Sequence, residues 1–319
     1  MGTKSSSLHI RLHPLPMLLA VAVLALLPVA LLIVDQPFYI VLATRVLIYA
    51  LIASSLNLLI GYGGMVSLGH ACFVGAGAYT AAVLARAGGD SAWLTWPAAA
   101  LVGGVLAALV GAVALRTRGV YFIMITLAFA QMAYYVVVSL RLLGGDDGLN
   151  LPRRAGFGFG LEPASDATFY YAVLGVVLLS MAGLHRLLNA PFGRALQGIR
   201  DNDERMEAIG FPVYRIKLIA FVIAGGAAGL GGCLLANLNL LVSPSLLHWT
   251  QSGTLMVMVI LGGSGRFLGA FLGAALLLLA EELFSDYTTH TALAIGVALL
   301  AVVLFAPAGL AGLWRQATR

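Results

Sequence analysis

Leu218–Leu241 reads LIAFVIAGGAAGLGGCLLANLNLL, an uncharged run longer than the roughly 20 residues an α-helix needs to cross the hydrocarbon core of a bilayer. Gly225 and Gly229 stand four apart within it, the GxxxG spacing at which two helix backbones approach closely in lipid. Composition extends that reading to the whole chain. Of its 319 residues, 61% are hydrophobic and only 10% charged, and the mean hydropathy is +0.98. A soluble domain carries about 25% charged residues and does not hide this much apolar surface from water.

Working outward, runs of the same kind fall at Leu15–Val34, Phe38–Ile60, Ala71–Ala87, Ala92–Leu115, Val120–Leu143, Phe169–Leu188, Ser252–Gly263, Phe267–Phe284 and Thr291–Leu313. The fold class is therefore all-α: one polytopic transmembrane bundle over residues 1–319, with about ten spans and eight or nine as the rival count. The first run is too long for a signal-peptide core and reads as a span. The third and eighth are short for a full crossing and are expected to be broken or re-entrant.

Charge supports the count and gives an orientation. With a cytoplasmic N-terminus, ten crossings put Lys4, Arg11, Arg116, Arg118, Arg186, Arg194, Arg200, Arg205, Arg215, Lys217, Arg266, Arg315 and Arg319 inside. Arg45, Arg86, Arg141, Arg153 and Arg154 fall toward the outer side. That is the bias of the positive-inside rule, with both termini in the cytoplasm. Two segments exceed a short connection: an outer loop at 144–168 and a cytoplasmic stretch at 189–217. No basic run supports a nucleic-acid partner, despite a net charge of +5. Cys72 and Cys233 lie in apolar runs without metal-ligand spacing, so no metal site is expected.

The cytoplasmic stretch, NAPFGRALQGIRDNDERMEAIGFPVYRIK, reads as two short helices. Arg194–Arg200 forms the first. Asp201 is placed to cap the second, with Glu204 completing a capping box and Gly210 and Pro212 ending it. Docking into a groove of a soluble partner and resting on the lipid surface both stay open for this stretch. Its mixed charge argues against a lipid anchor, where basic residues should dominate. Gly61–Tyr79 (GYGGMVSLGHACFVGAGAY) and Leu261–Ala275 (LGGSGRFLGAFLGAA) echo each other: a Gly pair, then Leu-Gly, then Gly-Ala. Short interrupted apolar segments in two parts of a chain point to a transport pathway. The candidate pathway residues are Asn57, Gly63, Gly64, Ser67, His70, Gln131, Gly262, Gly263 and Ser264. No GxxxxGK[ST] phosphate loop is present, so any ATP must be bound elsewhere. No Ser/His pair, paired Asp or HExxH lies within a span, so the chain is not read as an enzyme. A secondary carrier usually needs an intramembrane carboxylate, and none is expected at mid-membrane.

GYGGMVSLGHACFVGAGAY, then FGRALQGIRDNDERMEAIGFPVYRIKLIAFVIAGGAAGLGGCLLA, then MVILGGSGRFLGAFLGAALLLLAEEL, in that order, resemble the LivM-type permeases of bacterial branched-chain amino-acid ABC importers. The resemblance runs from about Leu42 to the C-terminus. It implies a permease of the bacterial inner membrane that pairs with a LivH-like second permease subunit. It also implies two ATPase subunits, which bind ATP and Mg, and a periplasmic substrate-binding protein; no cofactor is expected on this chain. It sets Glu207-Ala208-Ile209-Gly210 in the family's coupling loop, so Arg194, Arg200, Asp201, Glu204, Arg205, Glu207, Ala208 and Gly210 become candidate ATPase contacts. A permease of the same family for urea, short amides or another small polar solute, and a secondary transporter, stay open as alternatives.

Overall fold

The computed structural model describes residues 14–33, 37–89, 91–157 and 165–287, with positions 293 and 296. The chain is a bundle of α-helices: α1 (Pro14–Ile33), α2 (Pro37–Asn57), α3 (His70–Arg86), α4 (Ala92–Ala114), α5 (Val120–Ser139), α6 (Asp166–Asn189), α7 (Pro191–Asp201), α8 (Asp203–Ala208), α9 (Val213–Asn239), α10 (Trp249–Gly262) and α11 (Gly269–Tyr287). Among the described residues, five helices are long and apolar enough to cross a membrane: α2 with its extension to Tyr62, α4, α5, α6 and α9. The expected span at 291–313 lies, apart from positions 293 and 296, outside the described residues. The third and eighth runs are indeed short, at 17 residues for α3 and 14 for α10.

Small residues decide how these helices meet. Lipid tails are as apolar as leucine, so helices in a membrane associate through close van der Waals contact rather than through water exclusion. α9 packs against α2, α3 and α4. A Cβ placed on Gly77 of α3 would collide with the carbonyl of Gly229, and one on Gly229 would come within 3.1 Å of the Gly103 Cα in α4. The Gly225/Gly229 spacing in the opening stretch is therefore a helix contact. Gly269 and Gly273 of α11 meet Gly262 and Met258 of α10 in the same manner.

α1 is joined to the bundle by polar contacts. Pro28 lies inside it and has no N–H to give the carbonyl one turn earlier. That carbonyl, of Leu24, accepts instead from the Tyr170 hydroxyl of α6 at 2.7 Å. Tyr171 donates to the next carbonyl, Ala25, at 3.0 Å.

Several boundaries differ from the sequence reading. α5 stops at Ser139 rather than Leu143, because Leu140 turns extended and Arg141–Leu143 tightens into a 3-10 turn closed by left-handed Gly144. α6 begins earlier than expected, at Asp166, where the Ser165 hydroxyl accepts from the Thr168 N–H. The 144–168 loop is partly built structure. Leu149–Asn150 (β1) pairs antiparallel with Leu241–Val242 (β2). The Asn237 side chain of α9 accepts from the Ala155 N–H at 2.7 Å. Arg154 pairs with Asp166 at 2.6 Å and lies over the Phe169 ring. Tyr214 donates to the Ala112 carbonyl, so the 115–119 turn and the α7–α8 pair share one end of the bundle. The β1–β2 ribbon is at the other end.

Candidate functional site

Two features stand out at the α7–α8 end: an exposed helical knob and, beneath it, the broken ends of α2 and α10. Pro191 opens α7 at a position where its missing N–H costs nothing. Leu196 and Ile199 form its buried face. The chain then breaks at Asn202, whose extended backbone lets its side-chain oxygen accept from the Arg205 N–H at 2.8 Å. Asn202 is thus the cap of α8, a correction to the expectation for Asp201. Asp201 still belongs to the last turn of α7, so the capping box with Glu204 does not form. Gly210 ends α8 as expected, at φ +92°.

α8 projects from the bundle. Met206 packs onto Gly198 of α7, and Lys217 of α9 pairs with Asp203 at 2.5 Å, fixing the knob at its base. Glu204, Arg205, Glu207, Ala208 and Gly210 are exposed, together with Arg194 and Asp201 on α7. Ile209 is 63% exposed and Phe211 is 40% exposed. Glu207 makes only a long, solvent-open pair with Arg118 at 3.9 Å, which contributes little stability. A mixed-charge knob with two exposed hydrophobic residues is free to make contacts outside the chain.

Below it, α2 ends in a π-turn over Leu58–Tyr62, and residues 63–69 run back into the bundle without helical structure. α3 starts at His70, level with Ser55. The Ser55 hydroxyl gives its proton to the Ile52 carbonyl at 2.7 Å, so the 2.8 Å bond between Ser55 and His70 uses the His70 Nε2–H. A Ser/His pair is thus present within the bundle, a correction to the sequence reading, but its hydroxyl proton is committed to a backbone carbonyl and the imidazole does not act on it as a base. Non-helical backbone inside a membrane bundle needs protein partners for its donors. Here they are hydroxyls. Leu68 N–H donates to Thr126, Gly69 N–H to Ser67 and Ala71 N–H to Ser252. The N-terminal turns of α3 and α10 therefore meet, and Ser67, His70, Thr126 and Ser252 are fully enclosed there.

The α10–α11 turn passes against the end of α2. The Asn57 side chain accepts from the Gly265 N–H and donates to the Arg266 carbonyl, both at 2.9 Å. Gly61 lies directly on Gly265; a Cβ at Gly61 would strike the Asn57 side chain and the Gly265 backbone. Gly265 itself turns at φ +76°, which favours glycine. The Arg200 guanidinium of α7 reaches into this junction and donates to the Gly61 carbonyl. Ser54 and Tyr62 line an adjoining cavity of about 10 Å³, enough for one water, and their hydroxyls have no partner among the described residues.

The structure thus gathers Asn57, Gly63, Gly64, Gly262, Gly263 and Ser264 at one junction. Ser67 and His70 sit deeper, and Ser264 is exposed. Gln131 lies on α5 beyond Thr126, half-buried, its Oε1 enclosed without a partner among the described residues. Between α3, α4 and α5 opens a cavity of about 670 Å³, lined by Tyr79, Val102, Phe129, Met132 and Leu247 among others, which takes in none of these residues. Sequence reasoning missed Ser252, whose only signal was its place at the start of a short run, and the inward reach of Arg200. Among the described residues, no three His, Cys, Asp or Glu side chains come together as metal ligands.

Comparison with known proteins adds an independent line. The family described as "Branched-chain amino acid transport system / permease component" matches residues 38–307. The chain is 31% identical to the high-affinity branched-chain amino acid transport system permease protein LivM of Salmonella typhimurium, over 84% of this chain and 69% of that protein. LivM of Escherichia coli matches over the same shares at the same identity. LivH of Escherichia coli is 26% identical, over 83% of this chain and 91% of that protein. No solved structure gives a significant match.

Proposed function

We propose, for a chain that belongs to the family of permease components of branched-chain amino acid transport systems, that it forms half of an ATP-driven import pore for branched-chain amino acids. As a family member it is a transport permease and a multi-pass membrane protein, not an enzyme. In the proposed assembly it pairs with a LivH-like subunit in the bacterial inner membrane, with both termini cytoplasmic and about ten spans. A periplasmic binding protein delivers substrate at the β1–β2 end. Two ATPase subunits, which hold ATP and Mg, dock at the α7–α8 end. Similarity to both LivM and LivH supports the pairing, since one fold can supply both halves of a pore.

The observation that carries the proposal is the α8 knob standing over the broken ends of α2 and α10. Docked in an ATPase cleft, the knob would move as nucleotide closes the ATPases. The packed helices beneath would then switch between two arrangements, opening the pathway to one face and then the other. Asn57, Gly63, Gly64, Gly262, Gly263 and Ser264 stand at the inner end of that pathway. Ser67 and His70 lie at its enclosed middle, and Gln131 on a flanking span.

The test is leucine uptake into proteoliposomes that hold both permease subunits, with binding protein and ATP supplied, in the presence and absence of the ATPases. Uptake that requires the ATPases and ATP is expected. Equal uptake without them would mark a secondary carrier instead.

A further inference from the structure

The candidate ATPase contacts divide by what they touch. Arg194, Glu204, Arg205, Glu207, Ala208 and Arg200 are all exposed, but the Arg200 guanidinium turns back onto the bundle. Its target, the Gly61 carbonyl, belongs to the π-turn that ends α2, where the helix dipole favours a cation and the last carbonyls lack helical donors. On the way the Arg200 stem lies over Gly64, with its Cγ 3.2 Å from where a Cβ would stand. Its Nη1 would be 2.9 Å from a Cβ on Gly265. Gly265 is in turn held by Asn57 of α2. One side chain on the knob's own base thus touches both broken helix ends.

From this geometry we infer that Arg200 is a positioning residue, not a docking one: it carries movement of the α7–α8 knob into the junction of α2 with the α10–α11 turn. The inference rests on the proposed docking of α8. Lys217–Asp203 ties the same knob to α9, and Leu196 of α7 packs beside Gly63; Arg200 adds a polar link from the knob to the interrupted helices. Gly61, Gly64 and Gly265 are glycines at this place because any side chain there would displace Arg200, Asn57 or the neighbouring backbone.

The experiment uses the full complex of both permease subunits and both ATPases in proteoliposomes. It reads ATPase copurification, ATP hydrolysis and leucine uptake for Arg200→Ala, Arg200→Lys and Glu207→Lys. For Arg200→Ala the ATPases should copurify and hydrolyse as in the wild type. Uptake should fall about tenfold, so that more ATP is spent per leucine. Arg200→Lys, which can still donate to the Gly61 carbonyl, should recover most of the loss. A merely structural role would lower hydrolysis and uptake together. Wild-type uptake in Arg200→Ala, or loss of the ATPases from it, overturns the inference. Wild-type copurification of Glu207→Lys counts against α8 docking itself, a separate failure.

Discussion

The Ser252 hydroxyl accepts from the Ala71 N–H at 2.8 Å, joining the first turn of α10 to that of α3 across 181 positions of sequence. Two interrupted helices begin at this contact, and each presents backbone donors that its own helix cannot use. Removing the acceptor leaves an enclosed N–H unpaired. Ser252→Ala should therefore cost about 1–3 kcal/mol, seen as a lower Tm of the detergent-purified protein. Ser252→Thr, which keeps the hydroxyl, should lose much less. An unchanged Tm for the alanine variant would contradict the capping role.

Tyr170 and Pro28 should be coupled. Tyr170→Phe removes the donor to a carbonyl that Pro28 leaves free, at a cost of about 1 kcal/mol. In a Pro28→Ala background the helix supplies its own N–H to Leu24, and the same change should cost clearly less. A double-mutant cycle of unfolding midpoints measures the difference. Equal costs in the two backgrounds would show that the Tyr170–Leu24 bond does not depend on the proline.

Gly77 and Gly229 bring α3 and α9 into backbone contact. Gly77→Ala puts a methyl where the Gly229 carbonyl stands, and such overpacking typically costs about 1–3 kcal/mol. Size-exclusion profiles should show less monodisperse protein for Gly77→Ala than for Gly175→Ala, where nothing lies within reach of the added methyl.

These contacts mark how far the sequence could be read. Hydrophobic run length located the described helices, because crossing a bilayer demands it; their ends fall within three residues of the expected ones except at the end of α5 and the start of α9. The short third and eighth runs were recognisable as interrupted helices. Their meeting was not, because Ser252 and Ala71 belong to runs that nothing in the local pattern pairs. The knob was legible as two helices from Pro191 and Gly210. Its cap was misassigned by one residue, since Asp201 and Asn202 are both good caps and only the backbone break decides between them. Arg200 looked like one more surface charge, and its direction depends on glycines 61, 64 and 265, remote from it in sequence.

The same burial pattern corrects the simplest view of the candidate pathway. Ser67 is fully enclosed, whereas Ser264 is exposed at the α7–α8 end. A cysteine at Ser264 should react with a membrane-impermeant thiol reagent applied from that side, with or without nucleotide. A cysteine at Ser67 should stay protected in the resting complex and become reactive during ATP turnover. Cys72 and Cys233 are buried and supply little background. Protection of Ser67→Cys throughout turnover would make this segment packing alone.

The central claim is that α8 is the contact through which ATPases drive the pore. Copurification of tagged ATPase subunits with the Glu207→Lys, Ile209→Asp double variant tests it most directly. Both residues are exposed, so the variant should insert and remain monodisperse in detergent. Loss of the ATPases from that otherwise intact permease is the expected result; their recovery at the wild-type ratio would contradict the account.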